Sequence, residues 1–187
     1  IQWNKEYPNL MENGGFDVIL GNPPWGSIVP PRKFLQTDYN EILNDELVDL
    51  VLISTRHNLH AEMALQALQA GKNVFVEKPL ALNSDELLAI EEFYSKTERA
   101  PVLMTGYNRR FSPAIIKTKE ILANKTTPLM INYRMNAGYI PLDSWVHGEE
   151  GGGRNIGEAC HIYDLFVYLT SSKVKDIKAS SIQPFGK

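Results

Sequence analysis

The sequence predicts an α/β fold built on a parallel sheet, and three observations carry that prediction. Short apolar runs alternate with helix-period segments three times between residues 37 and 126. The turns joining them are short, and the apolar runs are continuous rather than alternating, as strands buried on both faces require.

The clearest stretch is Val48 to Leu80, VDLVLISTRHNLHAEMALQALQAGKNVFVEKPL. Val48 to Ile53 reads as a buried strand, and His60 to Ala70 repeats apolar residues at helical spacing. Gly71 supplies a helix stop, and Val74 to Val76 a second buried strand. Glu77 and Lys78 then fall just beyond the carboxyl end of that strand, the edge where open α/β sheets place their ligand crevices. Lys78 is the strongest catalytic candidate on position alone; the competing reading is a surface lysine flanking a helix.

The remaining elements follow in order. Thr37 or Asp38 caps a short helix through about Leu43, with Glu41 at capping-box spacing from Asp38. Ala81 to Ser95 reads as an amphipathic helix with Asn83 as N-cap and Glu86 at N3. Val102 to Met104 is a short strand, and Ser112-Pro113 opens a helix to about Ala123, serine as cap and proline in its first position. Pro128 to Met135 alternates like a half-buried strand, Asn155 to Leu169 reads as a helix, and Lys173 to Ile182 as a closing strand.

Composition narrows the function classes. The formal charge of −3 comes from interspersed acidic and basic residues, so no basic face for a polyanion is evident and nucleic acid is not expected as a partner. One cysteine, Cys160, excludes an internal disulfide framework and a thiolate-rich metal site. Cys160 and His161 are adjacent on a helix and point apart, so they form no dyad. Of the four histidines only His57 and His60 lie close in sequence, without a clear ligand partner, and no metal is expected. His57 and His147 read as ordinary loop residues. No apolar run approaches a membrane span and no secretory leader is present, so a reduced cytoplasmic protein is the expectation.

Near the start, Phe16 to Leu20 gives a strand, FDVIL, followed by the stiff turn Gly21-Asn22-Pro23-Pro24-Trp25-Gly26. This stretch resembles the NPPW motif of amino-group DNA methyltransferases, the N6-adenine type in particular. The resemblance covers about residues 1–26 and gives Asn22 and the Pro23 carbonyl the target amino group, and Trp25 the flipped base. As a phosphate loop the turn is poor, because Pro23 and Pro24 carry no N–H donors. Residues 27–36, with Pro30-Pro31, look like a connector.

Residues 37–187 resemble the Gfo/Idh/MocA oxidoreductases, on four segments in order: TDYNEILNDELVDLVLIST, HAEMALQALQAGKNVFVEKP, GYNRRFSP and the later GGG…H…D. The resemblance implies a Rossmann domain, then a C-terminal α/β domain whose open sheet often mediates oligomers. It also implies NAD or NADP as cofactor and hydride transfer at the carbinol carbon of a sugar, sugar-nucleotide or cyclitol. The expected organisation is a methyltransferase-like segment and linker over 1–36, a partial Rossmann-like dinucleotide-binding domain over 37–126, and a partial substrate and oligomerisation domain over 127–187.

By the same resemblance Lys78 orients the substrate hydroxyl and helps to move its proton, and His161 is the catalytic histidine. Asp164 follows on the same helix face, and Glu158, three before His161, is placed to orient that ring. Ser54, Thr55, Arg56, His60, Glu77, Lys78, Pro79 and Arg110 fall on the cofactor side. Two positions depart from the family pattern: Arg56 stands where proline is common, and Gly157 where an aspartate is common. His161 also reads as a buried helix histidine satisfied by Asp164 or Glu158. Trp145 and Tyr139 either line a sugar face or pin the long loop between residues 136 and 153.

No G-x-G-x-x-G occurs in the 187 residues, and the chain opens on Ile1, so a family fragment, fused or truncated at both sides, is the expectation. The alternatives are a fragment of an N6-adenine methyltransferase, or a non-catalytic homo-oligomerising remnant with paired sheet edges.

Overall fold

The computed structural model describes residues 18–21 and 35–180, with side chains from Tyr39 onward. The expected roles of Asn22, Pro23 and Trp25 lie outside the described residues. The chain divides into two compact units, residues 1–107 with 137–160, and residues 108–136 with 161–187.

A parallel sheet organises the first unit. Strands β1 (Val18–Gly21), β2 (Leu50–Ser54), β3 (Asn73–Val76) and β4 (Leu103–Thr105) lie side by side in that order. Their register is continuous: Val18, Val51, Val74 and Leu103 form one row, and Ile19, Leu52, Phe75 and Met104 the next. Parallel strands need a crossover at every step. Helices α1 (Leu35–Asn44), α2 (His60–Gln69) and α3 (Ser84–Lys96) supply them.

Period-two alternation decides which face is packed. Val51, Ile53, Val74 and Val76 are fully buried and join Ala64, Ala67 and Leu68 of α2 and Tyr39 of α1 in one core. The opposite residues, Leu50, Leu52 and Phe75, are half-buried, and Met104 is exposed. Burial on both faces, expected from the continuous apolar runs, therefore holds for one face among the described residues. The reason is topological. Strand order steps in a single direction, and crossovers of one hand then place every helix on the same side.

Local signals account for most element ends. Gly71 takes φ +79 just after α2, where an L side chain would be strained. At the start of α3 the Asn83 Oδ1 accepts the Glu86 N–H at 2.9 Å, and the Glu86 carboxylate accepts the Leu82 N–H at 2.7 Å. These bonds satisfy donors that a helix start leaves open. Two caps differ from expectation. Helix α1 already runs at Leu35, so Thr37 and Asp38 lie inside it. Ser112 stands at the N-cap of α4 (Pro113–Leu122), but its side chain makes no capping bond.

The second unit contains a 3-10 turn (Asn108–Phe111), α4, and α5 (Cys160–Thr170) from His161 onward. The Lys119 ammonium closes the end of α5, donating to the Tyr168 carbonyl and the Ser171 hydroxyl, both at 2.6 Å. A cation suits the negative end of the helix dipole. The expected strands at Pro128 to Met135 and, as far as residue 180, at Lys173 to Ile182 are not formed; both segments are irregular and mostly exposed. A strand exists only through a ladder partner, and among the described residues no segment supplies one here. The expected helix over Asn155 to Leu169 is a π-helical turn (Asn155–Ala159) leading into α5. Among the described residues no helix is long and apolar enough to cross a membrane.

Candidate functional site

Three segments of the first unit converge beyond the carboxyl ends of β2 and β3. They are the turn after β2 (Thr55 to Leu59), the turn after β3 (Glu77 to Pro79), and the loop from Trp145 to Glu158. His60 ties the first two together. Its ring is 1 % exposed, Nδ1 lies 2.7 Å from the Pro79 carbonyl, and Nε2 lies 3.2 Å from the Thr55 carbonyl. A carbonyl only accepts, so the shorter contact is the ring's donor bond. His60, expected on the cofactor side, is thus a buried clamp between two turns. It sets their spacing.

Lys78 reaches out of the second turn into the loop. Its Nζ donates to the Gly157 carbonyl at 2.8 Å and lies 3.6 Å from the Glu158 carboxylate, with both side chains about four-fifths buried. Glu158, expected to orient His161, has its carboxylate beside the Lys78 ammonium. The Glu77 carboxylate folds back on its own turn, accepting the Lys78 N–H at 3.3 Å. It lies close against Gly106, where a Cβ would come within 3.1 Å of Oε2. The Lys78–Pro79 peptide is cis.

The loop is pinned from the other side. The Arg56 guanidinium lies 4.1 Å over the Trp145 ring centroid, and its Nε lies 3.6 Å from the Glu150 carboxylate. The Asn58 N–H donates to the Glu150 carbonyl at 3.2 Å. His57 donates from Nδ1 to the Gly151 carbonyl at 2.9 Å and presents its ring to Trp145 in an edge contact, centroids 4.9 Å apart. Trp145 therefore pins the loop. Arg56, in the place of a common proline, takes part in that pinning. Thr55 turns its hydroxyl toward the Arg56 carbonyl at 3.3 Å, and Ser54 sits opposite Gly21 at the sheet edge.

Between these segments lies a cavity of about 110 Å³ lined by His57, Lys78, Trp145, Arg154, Gly157 and Glu158, among others. That volume is on the scale of a single six-membered ring, since an apolar cavity of about 150 Å³ holds benzene. Burial pushes the His57 ring below its ordinary value. The Gly151 carbonyl opposes that shift, while the charges of Lys78, His60 and Arg56 add to it. The ring is therefore neutral near pH 7. Among the described residues no three His, Cys, Asp or Glu side chains converge as metal ligands.

The second unit holds the other expected residues. Arg110 and Asp164 close on each other in a two-pronged ion pair, with Arg110 Nε donating to Asp164 Oδ2 at 3.0 Å. The expected cofactor-side arginine and the expected catalytic acid thus engage one another, and their shared bond ties the 3-10 turn to α5. His161 is buried, 5 % exposed, at the second position of α5.

Sequence reasoning missed the role of His57 and the Gly157 carbonyl, and it read Gly151 only as part of a flexible Gly151-Gly152-Gly153 helix entry. The two glycines act through backbone oxygens, which no side-chain pattern reports. His57 carried one available signal, its place in the turn after a strand that ends at the ligand edge.

Comparisons with known proteins match parts of the chain. Residues 30–107 match the Gfo/Idh/MocA family, described as an oxidoreductase family with an NAD-binding Rossmann fold. Residues 1–52 match the Eco57I restriction-modification methylase family. The myo-inositol 2-dehydrogenase of Thermotoga maritima is 33 % identical over 147 residues, 76 % of this chain and 42 % of that protein. The scyllo-inositol 2-dehydrogenase (NAD(+)) of Bacillus subtilis is 31 % identical over 168 residues, 86 % of this chain and 48 % of that protein. Among solved structures, an NAD-binding protein from Listeria innocua matches with TM-score 0.58 at 35 % identity, over 70 % of this chain and 39 % of that one. A levoglucosan dehydrogenase in complex with NADH matches with TM-score 0.59 at 28 % identity, over 70 % and 37 %. The chain spans about half the length, or less, of the curated relatives it matches.

The two family segments overlap over residues 30–52, and the overlap has a structural counterpart. Strand β1 falls in the methylase segment, β3 and β4 in the oxidoreductase segment, and β2 straddles the end of the first. All four nevertheless pair in one continuous parallel register. The chain carries a Gfo/Idh/MocA-type NAD-binding segment from residue 30 to 107, joined to an N-terminal segment of the Eco57I methylase type.

Proposed function

We propose that this chain serves NAD(P)-dependent hydride transfer at the carbinol carbon of a sugar, sugar-nucleotide or cyclitol. The observation that carries the reading is Lys78, its side chain about four-fifths buried, held at a small cavity at the carboxyl end of β3 by Gly157 and Glu158. The names of the inositol and levoglucosan dehydrogenases it resembles support the substrate class.

The cavity, a small space with one cation, one carboxylate and one neutral imidazole, suits the hydroxyl-bearing edge of the substrate, and Lys78 is the residue that would also meet the nicotinamide side of the cofactor. No glycine-rich diphosphate loop occurs in the 187 residues, and the sequence that follows β1 begins Asn22-Pro23-Pro24, two of which lack N–H donors. When bound, the nicotinamide supplies the hydride chemistry. Lys78 has three N–H donors and spends one on Gly157, leaving donors for a substrate hydroxyl. Its charge stabilises the oxygen as that hydroxyl loses its proton. Glu158 offsets the ammonium's charge and keeps it partnered in the absence of ligand. The resemblance gives His161 the proton exchange, and Asp164 acts through its hold on Arg110.

The test is a fluorescence titration with NADH and NADPH against the Lys78→Ala protein. Saturable binding that weakens in the variant is expected. Saturable binding by neither nucleotide overturns the reading.

The match of residues 1–52 to a methylase favours a second reading for that segment alone. It predicts S-adenosylmethionine or DNA binding that depends on Asn22 and Trp25, and the same titration with S-adenosylmethionine decides it. A homo-oligomer is part of the first proposal, and light scattering reads it directly.

A further inference from the structure

We infer that His57 is a ligand-contacting residue of the Lys78 cavity, its Nε2 accepting a hydrogen bond from a hydroxyl of a bound polyol. This rests on the dehydrogenase reading and adds to it the group that distinguishes one hydroxyl pattern from another.

The chemistry starts from the tautomer. Nδ1 lies 2.9 Å from the Gly151 carbonyl, and a carbonyl has no proton to give. Nδ1 therefore carries the hydrogen, and Nε2 carries the ring's remaining lone pair. The ring is also held in place. Trp145 meets it edge-on, His60 lies 5.7 Å away between centroids, and Gly157 packs so closely that a Cβ there would come within 3.1 Å of Cε1. A fixed ring with a fixed tautomer is a directional acceptor.

The surrounding charges complete the case. Lys78, Arg56 and His60 face the ring from the two turns, and Arg154 and Glu158 line the same cavity from the loop. Burial and the neighbouring cations keep the ring neutral, so its lone pair stays available near pH 7. Lys78 can only donate and His57 Nε2 can only accept. Together they suit a hydroxyl that receives one hydrogen bond and gives another, or two hydroxyls on adjacent carbons. The cavity, about 110 Å³, takes one edge of such a ring.

The test uses the full 187-residue chain labelled with ¹⁵N-histidine. Long-range ¹⁵N–¹H spectra read the tautomer of His57 without any ligand, the His57→Gln protein serving to assign the signal. Myo-inositol and levoglucosan are then titrated in the presence of NADH, on wild type and on His57→Phe, which keeps a ring against Trp145. The expected result is the Nδ1–H tautomer at pH 7 and an Nε2 signal that moves with polyol. Polyol affinity should fall about five- to tenfold in His57→Phe, the worth of one hydrogen bond, with NADH affinity unchanged. An Nε2–H tautomer overturns the inference even if the variant fails to fold. So does polyol binding that leaves Nε2 unmoved and is equal in the variant. A wild-type chain that binds neither NADH nor polyol overturns the dehydrogenase reading, and the ligand assigned to His57 falls with it.

Discussion

The ammonium of Lys78 donates to the carbonyl oxygen of Gly157 at 2.8 Å, across 79 positions of sequence. The same Gly157 lies under the His57 ring, where an added Cβ would stand 3.1 Å from Cε1 and 3.4 Å from Nδ1. One glycine thus fixes the distance between the cation and the imidazole of the cavity.

Gly157→Ala tests that relationship. Alanine favours helical backbone by about 0.5–1 kcal/mol, yet the ring it meets is held by Gly151 and Trp145 and has little room to move. We expect net destabilisation of about 1 kcal/mol, the low end of overpacking costs. Combining it with His57→Ala should remove most of the loss. Urea unfolding of the two single variants and the double variant measures the coupling; additive losses would refute the contact.

That pairing shows why the fold was more legible than the site. Strand and helix identities in the first unit follow from apolar period, and the Asn83–Glu86 cap follows from spacing alone; its bonds form as expected. The site depends on carbonyls of Gly151 and Gly157 and on a loop that returns from residue 145. Neither leaves a periodic trace. Lys78 was legible because a strand end marks the ligand edge. Glu158 was legible as a site residue through its helical spacing from His161, while its contact with Lys78, distant in sequence, left no spacing to read. The failed strands at 128–135 and 173–180 share one cause, since alternation predicts a strand's faces but not the partner that makes it one.

Stability should fall on acidification in a way that depends on His57. Unfolded, the ring takes up its proton near pH 6.5. Folded, burial holds its pKa lower. Below pH 6.5 the unfolded chain binds the extra proton first, so acid favours unfolding until the folded ring also titrates. The Tm of wild type should drop more between pH 7.5 and 5 than that of His57→Phe. Equal drops would mean that His57 is not held neutral.

Arg56 should matter more than an ordinary surface arginine. Its guanidinium stacks on Trp145 and approaches Glu150, two residues of one loop. A lysine keeps the charge but loses the planar stack. We expect Arg56→Lys and Arg56→Ala both to open residues 137–153 to limited proteolysis, with alanine the more sensitive. Cleavage at the wild-type rate in both would mean that the stack does not hold the loop. The exposed pair Lys117–Glu120 offers a control, since Lys117→Ala should change nothing measurable.

The pair Arg110–Asp164 separates a structural carboxylate from a catalytic one. Asp164 is 8 % exposed at its side chain, while Arg110 keeps about a third of its surface open to solvent. Removing the arginine strands a buried carboxylate, so Arg110→Ala should destabilise the protein by about 2–3 kcal/mol. This is below the full cost of breaking a buried pair, because Arg110 is partly solvated. Replacing both partners with apolar residues, Arg110→Met with Asp164→Leu, should recover much of that loss, since no unpaired charge remains. A carboxylate acting directly on substrate predicts something else, with Asp164→Asn lowering turnover at unchanged stability. Urea unfolding of the single and double variants, read beside NADH affinity, distinguishes the two. Recovery in the double variant with NADH affinity unchanged is the expected outcome, and a double variant no more stable than Arg110→Ala would remove the pair from the account.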